Sequence, residues 1–450
     1  MDTIVALGTP NGRSAIGVIR LTGPQSLEIT RHLVRDHLFS PSPAQVVLKN
    51  IKSGEFTLDQ ALLTFFQAPN SFTGEDVVEI SCHGSPVILR QVIDVMLSLG
   101  ARLAGPGEFT LRAMRNGKLN LTQAEAIRDL INAQTAAAAQ QALRQLDGEL
   151  SFRLNAVEEK LIEVIVQLES AIEFVEDDLP NLQRGKLQAK LENIAAGILA
   201  IAQTFEAGHL LRDGLKVTLV GRPNVGKSSL FNKLLASERA IVTEIPGTTR
   251  DTLTEQTSMG GIPVLLTDTA GLRESSDRLE ALGVDRTQRA LADADLAIVV
   301  IDGSEDLSQE DLNVLSQAKR NRHVVAMNKS DLDSFQSRAG SRPTFTAKEA
   351  VNVSAISGAG LSELRTAILS QFGSPELENG LLITNARHYD LLCRAFEQIQ
   401  SSEALLRDGV SEEIVVSGLH NALRFLGEIT GETTVEEILS EIFATFCIGK

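Results

Sequence analysis

Short apolar runs and amphipathic stretches alternate in the first part of the chain. Residues 3–7 and 15–21 are apolar and are separated by a turn-rich segment, which predicts two β-strands. Apolar residues recur at helical spacing in residues 25–35 and 86–99, and a short strand is predicted between them at 77–80. The opening part therefore predicts a mixed α+β domain.

Helical periodicity dominates the regions that follow. In residues 122–174, which are rich in Ala and Gln, Thr122 and Glu125 have the spacing of a capping box, and Gly148 is a candidate break. The other helical stretches are residues 184–211, 384–406 and 412–446. Because they lie on both sides of a region with a different pattern, we expect an all-helical domain that is split by an inserted domain.

The region between the helical stretches consists of short strands that each end in a polar loop. The predicted strands are residues 215–220, 264–266, 323–327 and 350–353. Loops at the carboxyl ends of parallel strands meet at one edge of a doubly wound sheet, where such folds bind nucleotides. The sequence thus predicts a multidomain protein of α+β and α/β class, with an inserted Ras-like doubly wound P-loop domain.

The loop after the first of these strands has the composition of a phosphate-binding loop. It reads Gly-Arg-Pro-Asn-Val-Gly-Lys-Ser from Gly221 to Ser228. Its glycines let consecutive backbone N–H groups point at a phosphate chain, Lys227 supplies a positive charge, and the Ser228 hydroxyl suits Mg²⁺. The predicted nucleotide contacts of this loop are Asn224, Val225, Gly226, Lys227, Ser228 and Ser229.

Two further loops fit a sensor of the γ-phosphate. Thr248 and Thr249 open a segment that can order around Mg²⁺, with Thr249 as a metal ligand. Asp268 ends the next strand, so its carboxylate is expected to reach the metal while the N–H group of Gly271 faces the γ-phosphate. The predicted contacts of this second loop are Asp268, Thr269, Ala270 and Gly271.

The last two loops fit a guanine pocket. Asn328, Lys329 and Asp331 follow the strand 323–327, and a carboxylate at Asp331 can accept both the ring N–H and the exocyclic amine of guanine. Adenine does not present this pair of donors. Ser354 and Ala355 are placed to close the pocket with backbone N–H groups. The predicted nucleotide is therefore GTP.

Composition limits what the rest of the chain can do. The 450 residues are enough for about three domains, and 43% hydrophobic with 22% charged residues is typical of a globular protein. We identify no signal peptide and no apolar run of membrane-spanning length, so we expect a cytoplasmic protein without membrane contact. The three cysteines, Cys82, Cys393 and Cys447, are too far apart for a predicted disulfide framework or zinc site.

The net charge of −16 argues against general affinity for nucleic acid, so any RNA contact needs a local basic patch. The best candidate patch consists of Arg102, Arg112, Arg115 and Lys118. The alternative is that these side chains form a solvated helix face.

Two charged residues interrupt predicted strands. Arg20 lies within 15–21, where it is either half-buried and in need of an anion or at a sheet edge in water. Glu79 lies within 77–80, where it either accepts two hydrogen bonds from the amidine edge of a pterin or is simply solvated. The residues alone leave both questions open.

Several segments outside the nucleotide loops resemble the MnmE (TrmE) family of tRNA modification GTPases. They are Asp2-Thr-Ile-Val-Ala, Gly17-Val-Ile-Arg, Phe72-Thr-Gly-Glu, Pro106-Gly-Glu-Phe-Thr-Leu-Arg, Asn116-Gly-Lys-Leu-Asn-Leu-Thr-Gln-Ala-Glu and the terminal Cys447-Ile-Gly-Lys. The resemblance spans the chain. Its GTPase motifs occur in many proteins, whereas the flanking segments and the Cys-Ile-Gly-Lys end are specific.

The resemblance implies four segments. They are a folate-binding and dimerisation domain (1–118), a first helical part (119–212), a GTPase domain (213–374), and a second helical part that carries the terminal tail (375–450). It also implies a homodimer that works with the flavin-dependent protein MnmG (GidA), in a heterotetramer or larger complex. Together they would add an aminomethyl-type group to carbon 5 of the wobble uridine of certain tRNAs.

The resemblance also implies residue roles in the N-terminal domain and the tail. Arg20, Glu79, Lys118 and Lys450 would contact a reduced folate, either 5-formyl- or methylene-tetrahydrofolate. Cys447 matches the terminal cysteine of the family and is a catalytic candidate. Its alternative role is that of a small apolar residue which anchors the tail.

Hydrolysis of GTP needs an unusual device in this chain. Leu272 stands where many small GTPases place a Gln that orients the attacking water. A bound K⁺ can stabilise the charge that develops between the β- and γ-phosphates, and the family positions for it are Asn224, Thr243, Ile245 and Thr248. The nucleotide-facing segment around them is Thr243, Glu244, Ile245, Pro246, Gly247 and Thr248. Glu280 matches the acid that orients water in the family, although a solvated helix acid is the alternative.

Two rival functions remain at this point. One is a regulatory GTPase switch that binds RNA during ribosome assembly, which would share the nucleotide loops but usually carries a separate RNA-binding module. The other is a folate-dependent transferase with a regulatory GTPase, which would need no flavoprotein partner. The acidic composition weighs against the first, and co-purification of a flavoprotein would separate the second.

Overall fold

The computed structural model describes residues 2–173, 181–236, 253–268, 291–337, 350–372 and 380–449. The chain forms two compact units. The first comprises Met1–Arg128, Gln145–Glu158 and Leu423–Lys450, and the second comprises Asp129–Arg144 and Glu159–Ala422.

The first unit contains a six-stranded sheet. Its strands are β1 (Ile4–Leu7), β2 (Ile16–Thr22), β3 (Val46–Ser53), β4 (Phe56–Phe66), β5 (Val77–His83) and β6 (Arg102–Leu103). They are arranged in the order β3-β4-β5-β2-β1-β6 and are antiparallel except for the β1–β6 pair. The sequence pattern predicts β1, β2 and β5 but no element between residues 36 and 70, where the structure has the β3–β4 hairpin.

Helices cover the two faces of this sheet to different extents. The helices α1 (Ser26–Val34) and α2 (Pro86–Ser98) pack on one face, where alternate residues of the central strands are buried, including Ile19 and Ile80. On the other face, Phe109 of α3 (Glu108–Arg115) packs against β1. Alternate burial along β2 and β5 follows from the two-residue period of a strand.

The helical stretch after residue 120 is divided into more pieces than the sequence predicts. It forms α4 (Leu121–Asn132), α5 (Ala136–Leu146) and α6 (Glu149–Glu173). Gly148 adopts a left-handed φ of 87° and forms the predicted break, and Thr135 caps α5 at a second break.

The predicted capping box of Thr122 and Glu125 is wrong. The box consists of Asn120 and Gln123, because Oδ1 of Asn120 accepts from the Gln123 N–H at 2.9 Å while Oε1 of Gln123 accepts from the Asn120 N–H at 3.1 Å. The Thr122 hydroxyl instead donates to Oδ1 of Asn120.

The second unit contains a second six-stranded sheet. Its strands are β7 (Leu215–Val220), β8 (Leu253–Met259), β9 (Ile262–Asp268), β10 (Leu296–Asp302), β11 (His323–Asn328) and β12 (Ala350–Asn352). The order is β12-β11-β10-β7-β9-β8, and all pairs are parallel except β8–β9. The helices α9 (Lys227–Ala236), α10 (Gln309–Ala318), α11 (Asp333–Ser337) and α12 (Leu361–Ser370) belong to the same region.

Both faces of this sheet are buried, and the chain therefore shows near-continuous apolar strands. Every residue of β10 is buried, and its side chains divide between two separate apolar cores on opposite sides of the sheet. This is the arrangement expected of a doubly wound parallel sheet.

The remaining helices are α7 (Asn181–Ala202), α8 (Phe205–Asp213), α13 (Ala386–Arg407), α14 (Glu412–Thr430) and α15 (Glu436–Ala444). The predicted helix 184–211 is thus two helices, and the predicted helix 412–446 is also two, with Gly431 at a left-handed φ of 95° between them. Within the described ranges, one helical segment, Arg184–Asp213, is long and apolar enough by composition to cross a membrane. In the structure α7 packs along α13, and its residues Leu191 and Ile198 are fully buried.

Candidate functional site

The phosphate-binding loop lies between β7 and α9 and depends on one glycine. Gly226 has a φ of 95°, and a Cβ atom at this position would lie 2.2 Å from Nδ2 of Asn328. That same Nδ2 donates to the carbonyl oxygen of Val225 at 2.8 Å. Asn224 also has a left-handed φ, 64°. The structure thus fixes a tight turn whose backbone is tied to the loop after β11.

Three side chains around this turn have the chemistry of a nucleotide–magnesium site. Nζ of Lys227 donates to the carbonyl oxygens of Gly221 and Arg222 at 2.8 and 2.7 Å. The Ser228 hydroxyl donates to Oδ2 of Asp268 at 2.8 Å, and Asp268 is only 1% exposed. A hydroxyl and a carboxylate that meet at the end of a phosphate loop are the hard oxygen donors that Mg²⁺ prefers, so these residues fit the ion.

The loops after β11 and β12 meet beside the phosphate loop. Oδ1 of Asn328 accepts from the N–H group of Ala355 at 3.0 Å, and Oδ1 of Asp331 accepts from the Ser354 hydroxyl at 2.6 Å. Asn328 and Ser354 are buried whereas Asp331 is exposed. The structure therefore brings together the four predicted base-pocket residues and leaves the Asp331 carboxylate open to a ligand on one side.

Lys329, the fifth predicted residue, is held by an acid that the sequence reasoning missed. Its Nζ forms an ion pair with Asp302, the last residue of β10. Burial by itself raises the pKa of Asp302, but hydrogen bonds from Lys329 and Ser304 outweigh it and lower the pKa. Asp302 is therefore ionised near neutral pH. The sequence signal that could have identified Asp302 is an acid at the end of an otherwise apolar strand.

Arg222 is a second residue that the sequence reasoning missed. Its Nε donates to Oδ2 of Asp311 at 3.2 Å, and its terminal nitrogen pairs with Glu305. Asp311 is 2% exposed and forms a capping box with Ser308 at the start of α10. The first turn of the phosphate loop is thereby anchored to α10. A basic residue directly after Gly221 is the sequence signal for this anchor. The partners of Arg222 could not be predicted because they are more than 80 residues away in the chain.

Part of the predicted site lies outside the described residues. This holds for the switch residues Thr243, Glu244, Ile245, Pro246, Gly247, Thr248 and Thr249, the loop residues Thr269, Ala270 and Gly271, and the single residues Glu280 and Lys450. Their assigned contacts stay predictions.

In the first unit, Arg20 and Glu79 lie directly opposite each other on β2 and β5. Nε of Arg20 donates to Oε1 of Glu79 at 2.8 Å, and the side chains are 26% and 29% exposed. Each half-buried charge is thus paired with the other, so Arg20 has the anion that a half-buried guanidinium needs. A contact between Glu79 and a pterin stays a prediction.

Lys118, the lysine of the predicted basic patch, is held by a backbone carbonyl group. Its Nζ donates to the carbonyl oxygen of Pro69 at 3.0 Å, and its side chain packs against Gly74. It is thereby held against the loop that leads into β5.

The prediction of a basic patch around it is wrong, because its arginines are neutralised by acids. Arg112 is buried and contacts Asp2, Glu75 and Glu108, while Arg102 pairs with Asp2 and Glu108. Arg115 pairs with Glu436 at 2.9 Å. The hydrogen bond from Arg102, followed by that from Arg112, lowers the pKa of Asp2 despite the opposing effect of burial. The cluster is a charge-balanced network and not a surface for phosphate.

The C-terminal tail is docked in the first unit. The N–H group of Gly107 donates to the carbonyl oxygen of Cys447 at 3.4 Å, and Pro106 forms an antiparallel bridge with Ile448. A Cβ atom at Gly449 would lie 2.5 Å from the carbonyl oxygen of Leu7 and 3.3 Å from Gly8, and Gly8 in turn adjoins the Arg20 side chain. Cys447 is an exposed free thiol. The structure therefore brings the tail close to Arg20.

Two family models match the chain. One describes the N-terminus of the GTP-binding protein TrmE and matches residues 3–118, and the other describes the MnmE helical domain and matches residues 121–447. Curated relatives named tRNA modification GTPase MnmE align over the whole chain. The relative from Aquifex aeolicus (strain VF5) is 42% identical over 100% of both chains. The relative from Koribacter versatilis (strain Ellin345) is 42% identical over 100% of this chain and 99% of its own.

Solved structures of two other proteins are similar to part of the chain. Aquifex aeolicus Era is 26% identical, with 41% of this chain and 66% of that chain covered at a TM-score of 0.28. The G domain of T. maritima FeoB is 27% identical, with 35% and 97% covered at a TM-score of 0.24.

The fold and the nucleotide loops define a multidomain P-loop GTPase. The two family models and the full-length relatives show that the chain belongs to the MnmE (TrmE) family of tRNA modification GTPases. The predicted family, fold class and GTPase class are therefore confirmed.

Proposed function

We propose that this protein hydrolyses GTP while it takes part in adding an aminomethyl-type group to carbon 5 of the wobble uridine of certain tRNAs. A reduced folate would supply the one-carbon unit, and the flavoprotein MnmG (GidA) would be the partner. The observation that carries the proposal is that the paired Arg20 and Glu79 lie beside the docked C-terminal tail. The same chain also has the predicted guanine-pocket residues. The relatives named tRNA modification GTPase support the assignment to tRNA.

The nucleotide site supports GTP hydrolysis with Mg²⁺. Ser228 and Asp268, with Thr249 from the switch, are the proposed residues that hold the ion, which neutralises charge on the phosphates when bound. Lys227 moves from its loop carbonyls to the outer phosphates of GTP. Asp331 selects guanine, since its carboxylate is oriented by Ser354.

A K⁺ ion is the proposed substitute for an arginine supplied by an activating protein. Asn224 carries an amide oxygen within the phosphate loop, and its backbone has a left-handed φ of 64°. The other proposed ligands are Thr243, Ile245 and Thr248, and Glu280 is the proposed residue that orients the attacking water. Stabilising charge where it develops in the transition state is usually the largest catalytic effect.

The folate site is proposed at Arg20 and Glu79, with Lys118, Lys450 and the Cys447 thiol as further contacts. Oε1 of Glu79 already accepts from Arg20, so the pair presents a donor next to an acceptor. That combination matches the alternating donors and acceptors of a reduced pterin ring. The bound form would be 5-formyl- or methylene-tetrahydrofolate.

The proposed assembly is a cytoplasmic homodimer formed through the N-terminal domain, residues 1–118. Its edge hairpin β3–β4 exposes Val46, Leu48 and Phe56, which are 61%, 55% and 79% exposed. Clusters of exposed apolar side chains mark interaction surfaces. The other proposed segments are the helical parts 119–212 and 375–450 and the GTPase domain 213–374.

Nucleoside analysis of tRNA tests the proposed function. Cells that lack this chain should have unmodified wobble uridine in the affected tRNAs, and the wild-type chain should restore the modification. The variant Glu79→Gln should fail to restore it while it still hydrolyses GTP. Normal modification in cells without the chain, together with a defect in ribosome assembly, would instead support the RNA-binding switch. Restoration in cells that also lack the flavoprotein would support the stand-alone transferase.

A further inference from the structure

The carboxyl end of β10 lies between the two halves of the nucleotide site. In the sheet order β12-β11-β10-β7-β9-β8, the phosphate loop follows β7 and the base-pocket loops follow β11 and β12. A nucleotide that reaches from the phosphate loop to the base pocket therefore crosses the end of β10. Asp302 is the last residue of that strand, and the predicted nucleotide contacts do not include it.

Asp302 is a buried acid whose two carboxylate oxygens have different partners. Its side chain is only 3% exposed. Oδ1 accepts from the N–H group and the hydroxyl of Ser304 at 3.0 and 2.6 Å, whereas Oδ2 accepts from Nζ of Lys329. The contacts with Ser304 thus fix the carboxylate in the orientation in which Oδ2 faces Lys329.

The backbone of Lys329 has a conformation that a lysine rarely adopts. Its φ is 67°, in the left-handed region. The N–H group of Gly303 donates to the carbonyl oxygen of Asn328 at 2.9 Å, and the N–H group of Ser330 donates to that of Val353 at 3.1 Å. The loop after β10 is therefore bonded to the guanine loop directly before Lys329. Strained residues of this kind persist where their surroundings over-determine them, and they cluster at ligand sites.

The ion pair also fixes the direction of the Lys329 side chain. Asp302 is the register partner of Asn328 on the neighbouring strand, so the ammonium group of Lys329 is held sideways over the end of β10. The apolar stem of Lys329 then extends along the line that the nucleotide crosses, and the side chain is 33% exposed. A free lysine side chain samples many rotamers, and ordering it on binding has an entropic cost. Asp302 lowers that cost because it orders the side chain before the nucleotide arrives.

We propose that Asp302 is a positioning residue for guanine-nucleotide retention, which holds the Lys329 stem between the two halves of the site and thereby slows nucleotide release. The proposal rests on the GTP binding of the proposed function and adds a residue to which the nucleotide motifs give no role. Because Asp302 acts through Lys329 and not on the phosphates, it affects GTP and GDP equally and leaves the hydrolysis step unchanged.

Two single variants and their double variant test this assignment. Asp302→Asn keeps an acceptor for Ser304 and removes the negative charge that holds Lys329. Lys329→Met keeps an apolar side chain and removes the ammonium group. The control is Glu310→Gln, which removes one negative charge from an exposed acid in the first turn of α10.

Three measurements on the full chain are compared among these variants. Stopped-flow release of a fluorescent GDP gives the dissociation rate, and GTP turnover gives kcat and KM. Thermal unfolding checks that each variant is folded. The separation of kcat from KM matters, because a loss of folded protein lowers kcat whereas a positioning role in nucleotide retention does not.

Asp302→Asn should release GDP about tenfold faster than the wild type, the scale of one lost hydrogen bond between charged groups. Its kcat at saturating GTP should not fall. Lys329→Met should also release GDP faster, and the double variant should release it no faster than Lys329→Met, because both changes remove the same pair. Glu310→Gln should release GDP at the wild-type rate.

Release at the wild-type rate from Asp302→Asn would overturn the role of Asp302. The same conclusion would follow if Asp302→Asn accelerated release by the same factor in the Lys329→Met background as in the wild type, or if Glu310→Gln accelerated it equally. A wild-type chain that retains no guanine nucleotide would overturn the GTP site itself, and the role of Asp302 with it.

Discussion

The Ser354 hydroxyl donates a hydrogen bond of 2.6 Å to Oδ1 of Asp331, and this contact joins the loops after β11 and β12. The Ser354 side chain also accepts from the N–H group of Ser357 at 3.0 Å, so its orientation is fixed. The Asp331 carboxylate is thereby presented to the nucleotide in one orientation. Base selection should depend on this one side chain.

The variant Asp331→Asn should weaken the free energy of GTP binding by several kcal/mol. The carboxylate accepts hydrogen bonds from the ring N–H and the exocyclic amine of guanine, whereas the amide of Asn places a donor against one of these two donors. The variant should also favour xanthosine triphosphate, whose acceptor oxygen replaces the exocyclic amine of guanine. Competition against a fluorescent guanine nucleotide measures both effects. Asp333→Asn, an exposed acid two residues away, is the control. GTP affinity that is the same in both variants would refute this role for Asp331.

The tail should be separable from GTP hydrolysis. Gly107 has a φ of 64°, and a Cβ atom there would lie 2.9 Å from Cδ1 of Phe443 and 3.0 Å from Cβ of Phe446. Gly107→Ala should therefore displace the residues that lead to Cys447 and reduce tRNA modification strongly, as should deletion of residues 447–450. GTP hydrolysis should stay near the wild-type rate in both variants.

Gly105→Ala provides the matched control, since a Cβ atom at Gly105 meets only ordinary contacts, the nearest at 3.7 Å. Modification by this variant should equal that of the wild type. Loss of hydrolysis together with modification in the Gly107 variant would show that the tail stabilises the whole protein and has no separate role.

The buried Arg112 should contribute much more to stability than the exposed Arg115. The Arg112 side chain is 8% exposed and faces Glu75 and Glu108, which are 12% and 18% exposed. Arg112→Leu therefore removes the ion pair of the poorly solvated Glu75 and leaves Glu108 with Arg102 alone. The expected loss in the free energy of unfolding is about 3 to 5 kcal/mol. Arg115→Leu breaks a pair whose members are 49% and 70% exposed and should cost less than about 1 kcal/mol. Urea unfolding at neutral pH measures both, and equal losses would contradict the account.

The same cluster should make stability depend on acid pH. Burial by itself raises the pKa of Glu108, but hydrogen bonds from Arg102, Gly105 and Arg112 lower it below its usual value of 4.5. A lowered pKa means that the stabilisation is fully present above pH 4.5 and is lost as the pH falls below it. Urea midpoints between pH 6 and pH 3 should therefore fall less steeply for Arg112→Leu than for the wild type. Parallel curves would show that the cluster does not govern acid stability.

The nucleotide loops could be predicted from the sequence because their chemistry is local. Gly226, Lys227 and Ser228 are neighbours in the chain, and in the described residues the loops after β7, β11 and β12 follow their strands directly. The partner of Arg20 was not predictable in this way. Glu79 is 59 residues away and becomes its neighbour only through the register of β2 against β5.

The wrong predictions have the same physical origin. The arginines 102 to 115 look like a basic patch along the chain, but their acids Asp2 and Glu75 come from distant positions in the sequence. The capping box was displaced because Asn120 and Gln123 compete with Thr122 and Glu125 for the same helix start, and the choice depends on where the helix begins.

Hydrolysis should depend on the monovalent cation. If K⁺ is bound by Asn224 and the switch, the rate should be high in K⁺ and low in Na⁺, and Asn224→Ala should remove the difference. Glu280→Ala should lower the rate and leave GTP binding unchanged, because this side chain is proposed to orient water only. Rates are compared at matched ionic strength and saturating GTP. Equal rates of the wild type in the two salts would exclude this mechanism.

The most direct test of the central claim is reconstitution with purified components. The chain is combined with the proposed flavoprotein partner, methylene-tetrahydrofolate, an ammonium or glycine donor, GTP, Mg²⁺, K⁺ and tRNA that carries unmodified wobble uridine. The nucleosides are then analysed by mass spectrometry. The account predicts an aminomethyl-type mass gain at that uridine, which disappears when GTP or folate is omitted and in the Glu79→Gln variant. Modification that proceeds equally without folate or GTP, or GTP hydrolysis with no modification under any of these conditions, would contradict it.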